Sequence, residues 1–363
     1  MPVSSFERLV RFVPKSSEEV LIGQPVDSDI DVGAAIIAGK DVKVDVYSGS
    51  SVLEPGTSTG TIKEIGKLLS PLAESEVGTI RCIGLNYVQH AHEVKMAIPD
   101  LPTVFMKPST SLADPYPSPT VIPKFALKDD CCDYESELVI VIGEKCKDVS
   151  EEDALNYVLG YTAANDVSSR ASQFAQSQWC FSKSFDGACP IGPVLVSTKL
   201  IPDPSKLRVR GLKNGKVMQD CGTDDLIFPV AKIVSFLSQG TTILPGTIIL
   251  TGTPAGVGNS FTPKEYLREG DSFSVEILPH IGTMMTKFEY QNKMSSRVLE
   301  ASLLPHLLLL PLALPPPFLS SGLLRTGGLR IGRTATGPAG LLRVCLPTRT
   351  TRSNRGGIFA CYV

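Results

Sequence analysis

Apolar residues along the chain fall into short runs separated by glycine, proline and polar positions, the rhythm of strands and not of long helices. Over residues 6–75, Leu9-Val10, Val20-Leu21-Ile22 and the alternating Val42-Lys43-Val44-Asp45-Val46 are divided by turn formers, which predicts a small β-rich module over 1–75. From Ile80 to about Lys293 further runs recur: Arg81-Cys82-Ile83-Gly84, Val104-Phe105-Met106, Leu138 to Ile142, Val194-Leu195-Val196 and Thr247 to Leu250. Asn214-Gly215, between Leu207-Arg208-Val209-Arg210 and Lys216-Val217-Met218, predicts a tight hairpin, because a type I′ turn needs positive φ at both central residues. Helical signals are fewer. Glu151 to Leu159 follows the capping Ser150, and Pro229 to Leu237 carries Val230, Ile233, Val234 and Leu237 at helical spacing. The expectation is an α+β, strand-dominated chain with its catalytic domain over 76–293.

Beyond Tyr290 no period persists. Residues 301–363 are rich in Leu, Pro, Gly, Arg and Thr, include Pro315-Pro316-Pro317 and hold no acid, which predicts a disordered low-complexity tail over 294–363 with no catalytic role. That tail also hides a charge asymmetry. The whole chain carries a net −2, but the tail has seven Arg and no Lys, leaving −9 on residues 1–300. An acidic body argues against a nucleic-acid groove. The most apolar run, Leu307 to Leu314, is short and broken by Pro311, so no membrane span is expected. Apolar content of 42% and charged content of 20% are those of a soluble globular protein with a sizeable core.

Nine Cys without a C-x-x-C spacing fit a reducing compartment better than a disulfide framework. Cys131-Cys132 is set aside as a ligand pair, since vicinal thiols seldom share a metal. Met1 to Ser17 lacks the continuous apolar core of a secretion signal, so a cytoplasmic chain is expected, with a mitochondrial presequence as the alternative.

The chemistry concentrates on acids. In Asp133-Tyr134-Glu135-Ser136-Glu137-Leu138-Val139-Ile140-Val141-Ile142-Gly143 the apolar stretch reads as a buried strand, and alternation aims Glu135 and Glu137 to one side. Two such carboxylates repel each other unless a cation or proton lies between them. With Asp166, in Ala164-Asn165-Asp166-Val167-Ser168-Ser169-Arg170, they form an all-oxygen set suited to a hard divalent ion, Mg²⁺ or alternatively Mn²⁺ or Ca²⁺. Gly84-Leu85-Asn86-Tyr87-Val88-Gln89-His90-Ala91-His92-Glu93 follows a strand and enters a helical turn, placing His90 and Glu93 at i, i+3, where the carboxylate can hold the imidazole in its basic tautomer. His92 has no such partner. Thr251-Gly252-Thr253-Pro254-Ala255-Gly256-Val257-Gly258 lacks the lysine of a phosphate-binding loop and the order of a dinucleotide loop, and its glycines are read as letting backbone approach a substrate. Trp179, the sole Trp, reads as packing or as the wall of a lid.

Six segments in this order resemble the fumarylacetoacetate hydrolase superfamily: Gly84 to Glu93, Phe105-Met106-Lys107-Pro108-Ser109-Thr110, the Glu135/Glu137 strand, Asn165 to Arg170, Lys183-Ser184-Phe185-Asp186-Gly187-Ala188-Cys189-Pro190-Ile191-Gly192-Pro193, and Ile249 to Gly258. The resemblance covers roughly residues 80–290. It implies a mixed β-sandwich roll, usually a homodimer, that binds Mg²⁺ and acts on a small-molecule oxo acid. Glu135, Glu137 and Asp166 match the family's metal ligands. His90 and Glu93 match a dyad on a mobile lid. Lys107, Arg170, Gln173, Lys183 and Thr253 match substrate-contacting positions, and the chemistry makes Lys183 the expected catalytic cation beside the developing enolate. Leu85 departs from acylpyruvate-cleaving members that carry a basic residue there, and Gln178-Trp179 is similar to oxaloacetate tautomerases and bacterial isomerases. The function implied first is metal-dependent hydrolysis of a C–C bond in a 3-oxo or 2,4-dioxo acid. The alternatives are an oxaloacetate tautomerase or decarboxylase on the same site, and a non-catalytic binding protein.

Overall fold

The strand rhythm resolves into a long mixed sheet packed against a smaller one. A computed structural model describes residues 6–291, and the tail expected over 294–363 lies outside the described residues. The long sheet runs in the order Leu21–Pro25, Lys43–Tyr47, Ser58–Leu69, Arg8–Pro14, Cys189–Ser197, Val158–Asn165, Ser136–Ile142, Ile248–Leu250, Thr79–Gly84, Thr103–Pro108. Arg8–Pro14 joins its two parts. Arg8 and Leu9 pair with Val196 and Leu195, while Arg11, Phe12 and Val13 pair with Leu69, Leu68 and Lys67. Sheet hydrogen bonding therefore crosses residue 75 without a break, and the described residues belong to one compact unit.

The second sheet has the order Lys216–Gly222, Arg208–Lys213, Ser272–Leu278, Gly282–Tyr290, Pro119–Ile122. Its first two strands are the predicted hairpin, with Asn214 and Gly215 both at positive φ (50° and 79°) as a type I′ turn demands. Leu138, Ile140 and Ile142 point from the long sheet into a core shared with Val209, Phe273, Val275, Ile277 and Phe288 of the second sheet. Val139 and Val141 point the other way, into a separate core with Leu195, Ile248, Leu250, Cys82 and Phe105. A strand covered on both faces is apolar at every position, and Ser136–Ile142 is buried throughout.

Val230–Ser238 forms the expected helix, with Val230, Ile233, Val234 and Leu237 buried. The other expected helix does not form. Ser150 Oγ accepts the Asp153 N–H at 3.1 Å and donates to Asp153 Oδ2 at 2.8 Å, a local cap, but only a 3₁₀ turn, Ala154–Tyr157, follows. From Val158 on, the sheet takes the chain, pairing Val158 with Ile142 and Gly160 with Val141, so tertiary pairing overrides the local cap.

Candidate functional site

The acid cluster lies where the central antiparallel pair ends. Ser136 pairs with Asn165 and Glu137 with Ala164, and beyond them the Asp166 N–H donates to the Glu135 carbonyl at 2.9 Å. Asn165 Oδ1 accepts the Glu135 N–H at 2.9 Å and fixes the strand end. Alternation puts Glu135 and Glu137 on the Val139/Val141 face, toward Phe105 and Trp179. Glu135, Glu137 and Asp166 each offer an oxygen within 4.8 Å of the others.

Three cations share this cluster. Lys183 Nζ donates to Glu135 Oε2 and Asp166 Oδ2 at 2.8 Å each and to Ser168 Oγ at 2.7 Å, which engages all three of its hydrogens. It also lies 5.0 Å from the centre of the Phe105 ring. Burial disfavours this ammonium, but the Asp166 and Glu135 charges outweigh burial and raise its pKa. Lys107 Nζ, fully buried, donates to Asp166 Oδ1 and to the Ala188 carbonyl. Arg170 spans Asp133 Oδ2 at 2.8 Å, Gln173 Oε1 at 2.7 Å and Glu135 Oε1 at 2.7 Å. Burial would raise the Glu135 carboxyl, but Lys183 and Arg170 bring it down to about 2.

Asp133, Glu135, Glu137 and Asp166 stand against Lys107, Arg170 and Lys183, so one negative charge in the cluster is unmatched. It falls on Glu137, which accepts the Gly252 N–H at 2.6 Å and has no ion-pair partner among the described residues. Burial, then Asp166 and Glu135, push its carboxyl well above the usual range. A buried carboxyl that keeps its proton for want of a counter-charge is one that a hard divalent cation can ionise and bind, and the donor set fits Mg²⁺ or Mn²⁺.

Opposite the acids stands the helical turn Val88–Glu93. His90 Nδ1 is 2.8 Å from Glu93 Oε2, and the carboxylate can only accept, so Nδ1 carries the proton and Nε2 is the basic nitrogen. Glu93 Oε1 accepts the Gly256 N–H at 2.9 Å, tying this turn to the glycine loop. Gly256 has φ of 102°, and a Cβ there would meet the Met218 carbonyl oxygen at 2.0 Å, so no other residue fits this close approach. Asp133 anchors the other end of the loop, accepting the N–H groups of Gly258 and Asn259 at 2.8 and 2.9 Å. Asn86 holds the start of the turn, with Nδ2 donating to the Thr251 carbonyl at 2.7 Å and to the Phe228 carbonyl at 3.1 Å.

The cavity between these parts is about 20 Å³, room for roughly one water-sized body. His90, Glu135, Glu137, Gln173, Lys183 and Thr253 line it, with Leu85, Phe105 and Trp179 forming its apolar side. Lys107 and Arg170, expected to contact substrate, are not in its lining; acids and the Gln173 side chain occupy their polar groups, and both side chains are at most 3% exposed. Asp133 was not singled out in the sequence, although it shares the odd-numbered parity of Glu135 and Glu137. Gln219 was also missed: its Nε2 donates to Thr253 Oγ1 at 2.7 Å, and only the fold brings these two distant residues together.

The family model described as the fumarylacetoacetate (FAA) hydrolase C-terminal region matches residues 79–289, the stretch that contains every one of these groups. The chain belongs to the fumarylacetoacetate hydrolase family. Over 291 residues, 78% of this chain and 93% of the relative, it is 43% identical to a caffeoylpyruvate hydrolase of Neonothopanus nambi. It is 40% identical to a mitochondrial oxaloacetate tautomerase, fahd2, of Xenopus laevis over 58% of this chain and 65% of that one. Among solved structures, the 2-hydroxyhepta-2,4-diene-1,7-dioate isomerase of Mycobacterium marinum superimposes with a TM-score of 0.65 at 32% identity, over 79% of this chain and all of that one. Among the described residues no helix is long and apolar enough to cross a membrane.

Proposed function

We propose that this family enzyme hydrolyses the C–C bond between the acyl carbon and the methylene of small 2,4-dioxo acids. The observation that carries the reading is that a carboxylate-oriented imidazole lines the same small cavity as Glu135 and Glu137, two acids of a cluster with one more acid than cations. Glu135, Glu137 and Asp166 would hold a divalent ion, Mg²⁺ first, and such an ion supplies Lewis-acid stabilisation of enolate charge.

The chain's own groups provide the rest. His90 Nε2 takes a proton from water, and the hydroxide adds to the distal carbonyl carbon. The bond from that carbon to the methylene then breaks, releasing a carboxylic acid and the enolate of pyruvate, and the proton held by His90 returns to the methylene carbon. Glu93 keeps the ring in the orientation and tautomer this needs. The Lys183 ammonium has no free hydrogen to donate, so it acts on the enolate through its charge in a buried cavity. Gln173 and Thr253, which reach the cavity, orient the oxo-acid oxygens.

Tautomerisation of oxaloacetate is the second reading. It needs proton removal and return without hydroxide attack, and the 40% identity to a tautomerase supports it. Product-resolved NMR with acetylpyruvate and oxaloacetate, in Mg²⁺ or Mn²⁺, separates the two. Hydrolysis gives acetate and pyruvate from acetylpyruvate. Keto–enol exchange of oxaloacetate, with acetylpyruvate left intact, would establish the second reading instead.

A further inference from the structure

Against the far side of the small cavity lies a second one of about 310 Å³, within the range of small-molecule sites. The two share three residues, Leu85, Phe105 and Trp179, which form the partition between them. The larger cavity is lined mainly by apolar side chains, Met96 and Val104 joining the partition residues, and its three polar residues are uncharged.

The partition is built from few restraints. Trp179 stands edge-on to Phe105, with ring centres 5.7 Å apart and planes at 68°. Its indole also lies against the Gly84 backbone, where a Cβ would come within 2.2 Å of the ring. Trp179 is half-buried, and Phe174 to Gln178 before it are exposed. Leu85 reaches the partition from a left-handed backbone, φ of 48°, which the neighbouring Asn86 bonds to Thr251 and Phe228 hold in place.

A cavity of about 20 Å³ cannot hold a dioxo acid unless this partition yields. Rotation of Trp179 joins the polar cavity to the apolar one, so a substrate whose reactive carbons lie beside His90 extends its acyl substituent into the larger space. We propose that the Leu85–Phe105–Trp179 partition and the apolar cavity behind it form an acyl-tail site, selecting 2,4-dioxo acids with an aromatic or long alkyl 4-substituent. This rests on the hydrolase reading above. A substrate with a second carboxylate in place of the tail would lose hydration there without gaining a cation.

Trp179 is the sole Trp of the chain, so its fluorescence lifetime reports tail occupancy directly. Titration of the full chain in Mg²⁺ with benzoylpyruvate and with acetylpyruvate gives two dissociation constants, and pyruvate release gives the two kcat/KM values. Benzoylpyruvate is expected to bind at least about tenfold more tightly, with a lifetime change that acetylpyruvate does not produce, because even one methylene in an apolar pocket is worth about tenfold or more. Val104→Asp, on the exposed side of the edge strand Thr103–Pro108, is expected to cut that ratio at least about tenfold. Ala97→Asp, at an exposed position, is a second variant with little folding risk. Equal binding of the two ligands, or a ratio untouched by both substitutions, overturns the acyl-tail site even if both compounds are hydrolysed. Tight benzoylpyruvate binding that shifts the lifetime without pyruvate release upholds the site and overturns the hydrolase reading.

Discussion

Lys107, matched by resemblance to a substrate-contacting position, has its ammonium buried between Asp166 and the Ala188 carbonyl. Lys107→Met leaves Asp166 with Lys183 as its one cation and the Ala188 carbonyl without its donor, so it should lower stability by about 1–3 kcal/mol in urea unfolding, with little separate effect on KM. A large rise in KM at parental stability would return Lys107 to the substrate. Glu93 offers a pH test at the same scale. Burial raises its carboxyl, but the bonds from His90 and the Gly256 N–H lower it further, so its folded-state value lies below the ordinary 4.5. Its contribution is therefore full above 4.5 and lost as pH falls through the depressed value. Glu93→Gln should destabilise the chain at pH 7, and the gap to the parent should narrow on acidification below 4.5; a gap that widens would reverse the assigned sign.

Among the elements, the strand bearing the acids was the most legible. Five consecutive apolar residues bounded by Glu137 and Gly143 admit little besides a doubly covered strand, and period two then aims Glu135 and Glu137 together. His90 and Glu93 were legible for a similar reason, since their spacing lies within one helical turn. Glu151 to Leu159 failed because its helix signal was local and its competitor was not: nothing near Val158 announces Ile142 as a partner. Gln219 was missed on the same ground, its partner Thr253 being 34 residues away, and the bond of Arg170 to Asp133, 37 residues away, was hidden in the same way. Asp133 ties the strand end, Arg170 and the glycine loop together through four hydrogen bonds, counting the Tyr134 N–H. Asp133→Ala should cost about 1–3 kcal/mol of stability, because it takes one of the two carboxylates from a buried guanidinium and the acceptor from the Gly258 and Asn259 N–H groups. Hydrogen exchange should show the Gly258 and Asn259 amides losing protection first, and uniform loss across the sheets would mean the loop is held by something else.

For the molecule as a whole, a cation held by the acid cluster as proposed would make folding and cation binding one equilibrium. The strand after Glu137 shares one apolar core with the second sheet, and the described residues form one compact unit, so a local gain at Glu137 should be felt in the unfolding of the whole described region. Mn²⁺ at a hundred times its dissociation constant should add about 2.7 kcal/mol to stability. Glu137→Gln should abolish that increment, while an increment kept in the variant would place the ion elsewhere.

The most direct test of the proposed chemistry is acetylpyruvate turnover followed by NMR in the parent and in His90→Ala, both saturated with Mn²⁺ as judged by calorimetry. Loss of a positioned general base should slow release of acetate and pyruvate by about 10²–10⁴-fold while Mn²⁺ affinity stays at the parent's value. Release at the parental rate from His90→Ala would contradict the assignment of the imidazole as the group that activates water.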